Sequence, residues 1–184
     1  MAARLTLPRR TALALAATLL VAGCTGSAGE VAPSVGAVVP EGPTGTVGPA
    51  VAQTRIELVQ ALGTKNLVLQ DSQAQFRPPE DPTFTTTPRA LYQVILPKAP
   101  LEGFIVVYEF ADPTTAATAA AAQAAYLATG PAKVQSPFGA RHIIRLVGST
   151  VVQYTWVPEG AEDPLQPDIQ TALETLGTGV QVPS

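Results

Sequence analysis

The pattern of hydrophobic and polar positions divides the chain into three parts. Residues 11–22, TALALAATLLVA, form an uncharged apolar run. Residues 25–50 show neither a helical nor a strand period, whereas apolar residues from Thr54 onward recur at the spacings of helices and strands. The periodic part predicts one globular domain over residues 51–184, close to the usual domain size.

Three segments carry the helical pattern with its start and stop signals. In the first, Thr54 and Glu57 have the spacing of a capping box, in which each residue satisfies a backbone N–H of the first turn. The second has Asp112 as its expected N-cap and Gly130-Pro131 as its expected stop. It is mostly alanine, the residue with the highest helix propensity. The third has its apolar residues on one stripe. The predicted helices are residues 55–62, the alanine-rich segment from Asp112 to Ala128, and a segment that opens at Pro164 or Pro167 and closes at Gly177.

Runs rich in β-branched and aromatic residues predict five strands. The last two flank Gly148 and Ser149, and such a two-residue link is a strong signal of a tight hairpin. The predicted strands are residues 67–69, 91–96, 103–110, 141–147 and 150–157. The order α-β-β-β-α-β-β-α predicts an α+β fold, in which a mainly antiparallel sheet has helices packed on one face.

The apolar run near the start has the surroundings of a secretory signal peptide. Arg4, Arg9 and Arg10 precede it, and small residues follow it up to Cys24, the only cysteine of the chain. The run is shorter than the roughly 20 apolar residues that cross a bilayer. We therefore expect residues 1–23 to be a cleaved signal peptide. Cleavage elsewhere, and export by a twin-arginine signal, are the alternatives.

Residues 21–24, Val-Ala-Gly-Cys, resemble the bacterial lipobox. The resemblance implies that the thiol of Cys24 takes lipid such as palmitate and that this cysteine becomes the new N-terminus. Acyl chains hold a protein on a bilayer without spanning it. Because Thr25 is not the Asp associated with inner-membrane retention, we expect a cell-envelope location, on the outer side of the cytoplasmic membrane or on the outer membrane. Residues 24–50, rich in Gly and Pro, are predicted to be a flexible tether.

The arrangement of the folded part resembles an uncharacterised class of small bacterial lipoproteins. The features that carry the resemblance are a helix that ends in Gly at 58–63, an apolar VYEF strand before an Ala-rich helix at 107–112, and a hairpin followed by a helix ending in Leu-Gly over 141–177. These motifs are structural, and no activity is attached to the class. The resemblance therefore implies fold and location only.

Charge and composition narrow the function classes. Without residues 1–23 the chain keeps 8 Lys and Arg against 14 Asp and Glu, a net charge of −6. This net charge disfavours nucleic acid as a partner, because the negative phosphates of nucleic acid bind positively charged proteins. One cysteine and one histidine, His142, disfavour thiolate and histidine-rich metal sites. Nucleotide-binding and catalytic motifs are absent from the sequence, so we expect neither a metal nor a cofactor.

Two groups of residues are candidates for a functional site. His142 is the only side chain that titrates near neutral pH without perturbation, and Glu109 is a candidate acid beside it. In the predicted hairpin, Arg141 and Arg145 share a face with aromatic residues and could grip an anionic or carbohydrate ligand. The alternative is a solvent-facing surface on which arginine stems cover rings. The four predicted ligand-binding residues are Arg141, Arg145, Tyr154 and Trp156.

These observations leave two functional hypotheses. The first is a non-enzymatic envelope lipoprotein, held on the membrane at Cys24, whose domain binds an envelope protein or another envelope component. The second is a small-ligand binder or weak hydrolase that uses the hairpin face or His142. The sequence assigns no catalytic residue.

Overall fold

The structure, a computed structural model, describes residues 47–160 and 162–184. The predicted signal peptide, the predicted lipidation site Cys24 and the predicted tether up to residue 46 lie outside the described residues. No helix in the described part is long and apolar enough to cross a membrane.

The predicted α+β class is confirmed, with a six-stranded antiparallel sheet in the order β1-β2-β3-β5-β4-β6. The strands are β1 (Leu69–Asp71), β2 (Arg89–Val94), β3 (Phe104–Glu109), β4 (Arg141–Val147), β5 (Thr150–Trp156) and β6 (Thr178–Val180). The described helices are α1 (Pro49–Gly63), α2 (Pro113–Leu127), α3 (Gly130–Gln135) and α4 (Gln166–Leu173), with a 3₁₀ turn at Pro158–Gly160.

Two elements, α3 and β6, are additions to the predicted order. The Gly130-Pro131 pair was expected only to stop a helix, but Pro131 lies in the first turn of α3. Its missing N–H costs nothing there, because first-turn N–H groups have no partner within the helix. Strand β6 is three residues long and pairs with β4, more than 30 residues earlier in the chain, so no local sequence pattern predicts it.

The first helix begins earlier than predicted. Pro49 opens α1, and Gly48 rather than Thr54 is its N-cap. Thr54 lies inside the helix, where its buried hydroxyl is 2.7 Å from that of Thr150. The predicted capping box is therefore wrong. Val47 packs against the core and the Gly48 N–H donates to the Glu109 carboxylate, so the last predicted tether residues belong to the domain.

Helices cover both faces of the sheet, which corrects the expectation of one face. Along β3, Ile105 and Val107 point to one face and Val106 and Tyr108 to the other, and all four side chains are fully buried. A central strand that is apolar on both faces needs cover on both. The core on the first face includes Leu58 and Leu62 of α1 with Ile169 and Leu173 of α4. The core on the second includes Ala116, Ala120 and Ala124 of α2 with Ala132 of α3.

Candidate functional site

The predicted hairpin forms with the expected register. Arg141 lies opposite Trp156, Ile143 opposite Tyr154, and Arg145 opposite Val152. Gly148, at φ +56°, supplies the left-handed backbone that the tight turn requires.

The four predicted ligand-binding residues do not form one open surface. Their face of the hairpin is packed in the same core as α4, and Tyr154 and Trp156 are only 1% and 8% exposed. Arg145 donates from Nε to the Leu176 carbonyl at 2.7 Å and from Nη2 to the Glu174 carbonyl at 2.8 Å. It therefore satisfies carbonyls that follow α4, which have no partner within the helix. Arg141 is exposed.

His142 and Glu109 are not brought together. Glu109 pairs with Thr150 at the start of β5, whereas His142 pairs with Thr155 near its other end. The His142 Nδ1 is 2.9 Å from the Thr155 hydroxyl, and its Nε2 is 3.5 Å from the Ser136 hydroxyl. Burial lowers the pKa of His142, which favours the neutral ring. No carboxylate of residues 47–160 or 162–184 bonds to this ring, so the predicted general base lacks its expected acid there.

A wide polar cleft of about 490 Å³ is lined by residues of β4 and of the chain around β6, the edge strand beside it. It brings Arg141, His142 and Arg145 to one rim, with Glu174 and the C-terminal residues across from them. Arg145 is already bound to backbone carbonyls, which leaves Arg141 as the free cation of this cleft among the described residues.

A second cleft, which we call the apolar cleft, lies where β3 begins and β5 ends. Its volume is about 180 Å³. The rings of Phe76 and Phe104 stack in its wall, with centroids 4.6 Å apart. Most other lining residues are apolar or aromatic as well, including Pro78, Pro79, Leu101, Pro137, Trp156 and Val157. The cleft therefore offers an apolar site of about the size of one large side chain.

The wall of the apolar cleft at residues 76–79 is held by a buried carboxylate. Glu80 accepts from the Tyr108 hydroxyl at 2.6 Å, from Arg77 Nε at 2.6 Å and from Arg89 Nη1 at 3.3 Å. Burial, together with the Glu80 charge, raises the pKa of Tyr108 well above its ordinary value, so this hydroxyl stays a donor. Gln123 of α2 donates to the Pro79 carbonyl at 2.8 Å and to the Gln153 side-chain oxygen of β5 at 2.9 Å, and so links the same segment to the sheet.

Gly103 shapes the opposite wall. Its φ is +80°, and a Cβ at this position would lie 2.5 Å from the Val94 carbonyl oxygen. Only glycine fits such a backbone at such a short approach. The chain can therefore turn from the cleft rim at Leu101 and Glu102 directly into β3.

One strongly exposed hydrophobic side chain lines the apolar cleft. Leu101, Val134 and Phe138 are 85%, 87% and 99% exposed, the highest values among large hydrophobic residues in the described part. Leu101 belongs to the lining of the cleft, and the other two are neighbours in sequence of its lining residues Gln135 and Pro137. Scattered exposed hydrophobics are ordinary, so Leu101 is the one that bears directly on this cleft.

The polar groups of the apolar cleft are few. The Glu102 carboxylate accepts from the Gln166 side-chain amide, and Gln166 is only 1% exposed. No described lysine or arginine pairs with Glu102, whereas the other charge at the cleft, Arg77, is paired with Glu80. Burial and, secondarily, the Glu102 charge raise the pKa of Tyr154.

Sequence reasoning missed this cleft except for Trp156. Its walls come from five separate parts of the chain, near residues 76–79, 101–104, 135–137 and 155–157 and at Gln166. None of these parts has a motif of its own, and the one available signal was the Pro78-Pro79 pair close to Phe76. The described residues contain no group of three His, Cys, Asp or Glu side chains that could hold a metal ion.

Comparison of the chain with protein-family models, with curated proteins and with solved structures finds no match. The resemblance to small bacterial lipoproteins therefore stays a prediction from the sequence.

Proposed function

We propose that this chain is a lipid-anchored binding module of the cell envelope and that the apolar cleft captures a segment of an envelope protein. The observation that carries the proposal is an apolar cleft whose lining includes Leu101, which is 85% exposed, and whose lining residues Gln135 and Pro137 have the exposed Val134 and Phe138 beside them in the chain. Apolar pockets with a few polar groups are the usual form of binding sites. Covering this surface removes its apolar area from water, which favours association.

The anchoring half of the proposal rests on the sequence. The signal-peptide pattern and the lipobox-like residues 21–24 support acylation at Cys24 and attachment to an envelope membrane. The position of the cleft is compatible with capture of a partner away from the anchored end of the chain. The chain enters the domain at Gly48, which is bonded to Glu109 at the end of β3, whereas the cleft lies at Phe104, where β3 begins. The strand separates the two points by about 17 Å, at roughly 3.3 Å per residue.

The test compares two substitutions of exposed hydrophobic residues. Leu101→Asp places a charge in the cleft rim, and Val68→Asp makes the same change at a 59% exposed residue that does not line the cleft. Both variants should keep the wild-type circular dichroism and melting temperature, because neither side chain is buried. The full-length protein is expressed in a bacterial host and cross-linked within intact envelopes. The adducts are then identified by mass spectrometry.

We expect a defined set of adducts that Leu101→Asp loses and Val68→Asp retains. If both variants give the wild-type adducts, the apolar cleft is not the capture surface. If the wild type gives no adduct that depends on Leu101, the proposal fails in the same way.

The second candidate is a small-ligand binder, and the wide polar cleft along β4 favours it. This cleft is larger than the apolar one and holds Arg141 and His142 at its rim. Binding of a low-molecular-weight anion would then depend on Arg141. Equilibrium dialysis of wild type and Arg141→Ala against labelled acidic sugars tests this, and equal retention by both proteins contradicts it.

A further inference from the structure

We infer that the segment captured in the apolar cleft carries a basic side chain, an arginine or lysine, whose cationic end lies beside Glu102. This inference rests on the proposed function and names the chemistry of its partner. It concerns a guest the size of one side chain, in keeping with the cleft volume of about 180 Å³.

The charge balance of the cleft leaves one negative group unmatched. Of the two charged residues in the lining, Arg77 has Glu80 at 2.6 Å, whereas Glu102 pairs with no described cation. The only hydrogen bond that the described part gives to the Glu102 carboxylate comes from the neutral Gln166 amide, and this bond holds the carboxylate at the rim. A carboxylate that is held in place and lacks a counter-ion favours a positively charged guest.

The position of Glu102 makes its charge available to a guest. Glu102 is exposed at the cleft, so a cation can reach its carboxylate. The Gln166 amide that holds this carboxylate belongs to a buried side chain, which is only 1% exposed. A guanidinium or ammonium group at the rim would therefore meet a carboxylate that is already positioned to accept its hydrogen bonds.

The walls of the cleft suit the rest of a basic side chain. Phe76, Phe104 and Trp156 supply three aromatic rings, and cations bind favourably over ring faces within about 6 Å of their centres. The proline, leucine and valine side chains of the lining match the aliphatic stem of an arginine or lysine. An acidic guest would lose both contributions and would be repelled by Glu102.

The experiment uses Trp156, the only tryptophan of the chain, as an internal probe. Purified full-length protein in detergent micelles is titrated with acetyl-Leu-Arg-Leu-amide while the Trp156 emission is recorded. Two peptides of the same length replace arginine by citrulline, its neutral isostere, or by glutamate. Choline chloride forms a separate arm, because it tests a free organic cation without a peptide.

We expect the arginine peptide to bind about tenfold more tightly than the citrulline peptide, from the combined ion pair and cation–π contact. The glutamate peptide should bind more weakly still, and choline should have little effect. Glu102→Gln should remove most of the arginine preference and leave only the cation–π part, because it removes the charge and retains an oxygen for Gln166. Glu159→Gln is the matched control, since this exposed acid does not line the cleft, and it should keep the preference.

Equal affinity for the arginine and citrulline peptides overturns the inference. Loss of the preference in both variants also overturns it, because the effect would then come from the net charge of the domain. The inference is also overturned if the Trp156 emission does not change when the arginine peptide is added. If choline binds as tightly as the arginine peptide, the inference is wrong about the ligand, because the cleft then binds a free organic cation and not a basic side chain of a peptide. Adducts that depend on Leu101 would still support capture in any of these cases, so the two proposals fail separately.

Discussion

Replacing Glu80 by alanine should destabilise the domain and open the apolar cleft. The substitution removes the acceptor of the Tyr108 hydroxyl and the partner of Arg77 and Arg89. Because both arginine side chains are partly exposed, at 32% and 21%, water can solvate them after the change. Tyr108 is fully buried, so its hydroxyl would be left without a partner.

The magnitude follows from these two contributions. An unsatisfied buried hydroxyl costs about 1–3 kcal/mol. Loss of the two ion pairs of Glu80 with the partly exposed Arg77 and Arg89 adds about 1 kcal/mol together. We therefore expect Glu80→Ala to lower the free energy of unfolding by about 2–4 kcal/mol, measured by urea denaturation followed by far-ultraviolet circular dichroism. Glu80→Gln keeps an oxygen for Tyr108 and should lose about half as much.

A double variant separates the hydroxyl from the ion pairs. In the Glu80→Ala background, Tyr108→Phe should cost nothing or recover stability, because removing both partners of a buried bond is nearly neutral. In the wild-type background the same change should destabilise the domain. The reasoning is refuted if Glu80→Ala costs less than about 1 kcal/mol, or if Tyr108→Phe has the same effect in both backgrounds.

Four further predictions concern residues that the sequence analysis singled out. Cys24→Ser should leave the protein as an uncleaved precursor or release it from the membrane fraction, and unchanged fractionation with cleavage at the same bond would contradict the lipoprotein interpretation. Trp156→Ala should lower the free energy of unfolding by about 3–5 kcal/mol, because the ring is buried in the core. Arg141→Ala, at an exposed residue, should leave the urea midpoint unchanged. Because burial lowers the pKa of His142 below 6.5, the unfolded chain takes up a proton there before the folded one, so stability should fall as the pH drops below about 6.5. His142→Gln should flatten this pH dependence of the urea midpoint, and an unchanged slope would show that other groups cause it.

Local signals in the sequence determined several elements of this fold. The Gly148-Ser149 link and the strand alternation around it were enough to predict every pair of the β4–β5 hairpin, because a tight turn sets the register of the strands that it joins. Asp112 was expected to cap the alanine-rich helix, and its carboxylate accepts the Thr115 N–H at 2.8 Å. In both cases the interacting residues are close along the chain.

Only the tertiary structure decided which surfaces are buried and where a binding site lies. Alternation showed that Arg145, Tyr154 and Trp156 share a face, but the packing of α4 made that face part of the core and gave Arg145 the helix-end carbonyls as partners. The apolar cleft likewise depends on loops that meet at one end of the sheet. These contacts join residues far apart in sequence, and their cost in chain entropy is offset only when the whole core assembles. For this reason the sequence pattern predicted five of the six described strands and three of the four described α-helices. The apolar cleft, with Glu102 at its rim, could be found only in the folded structure.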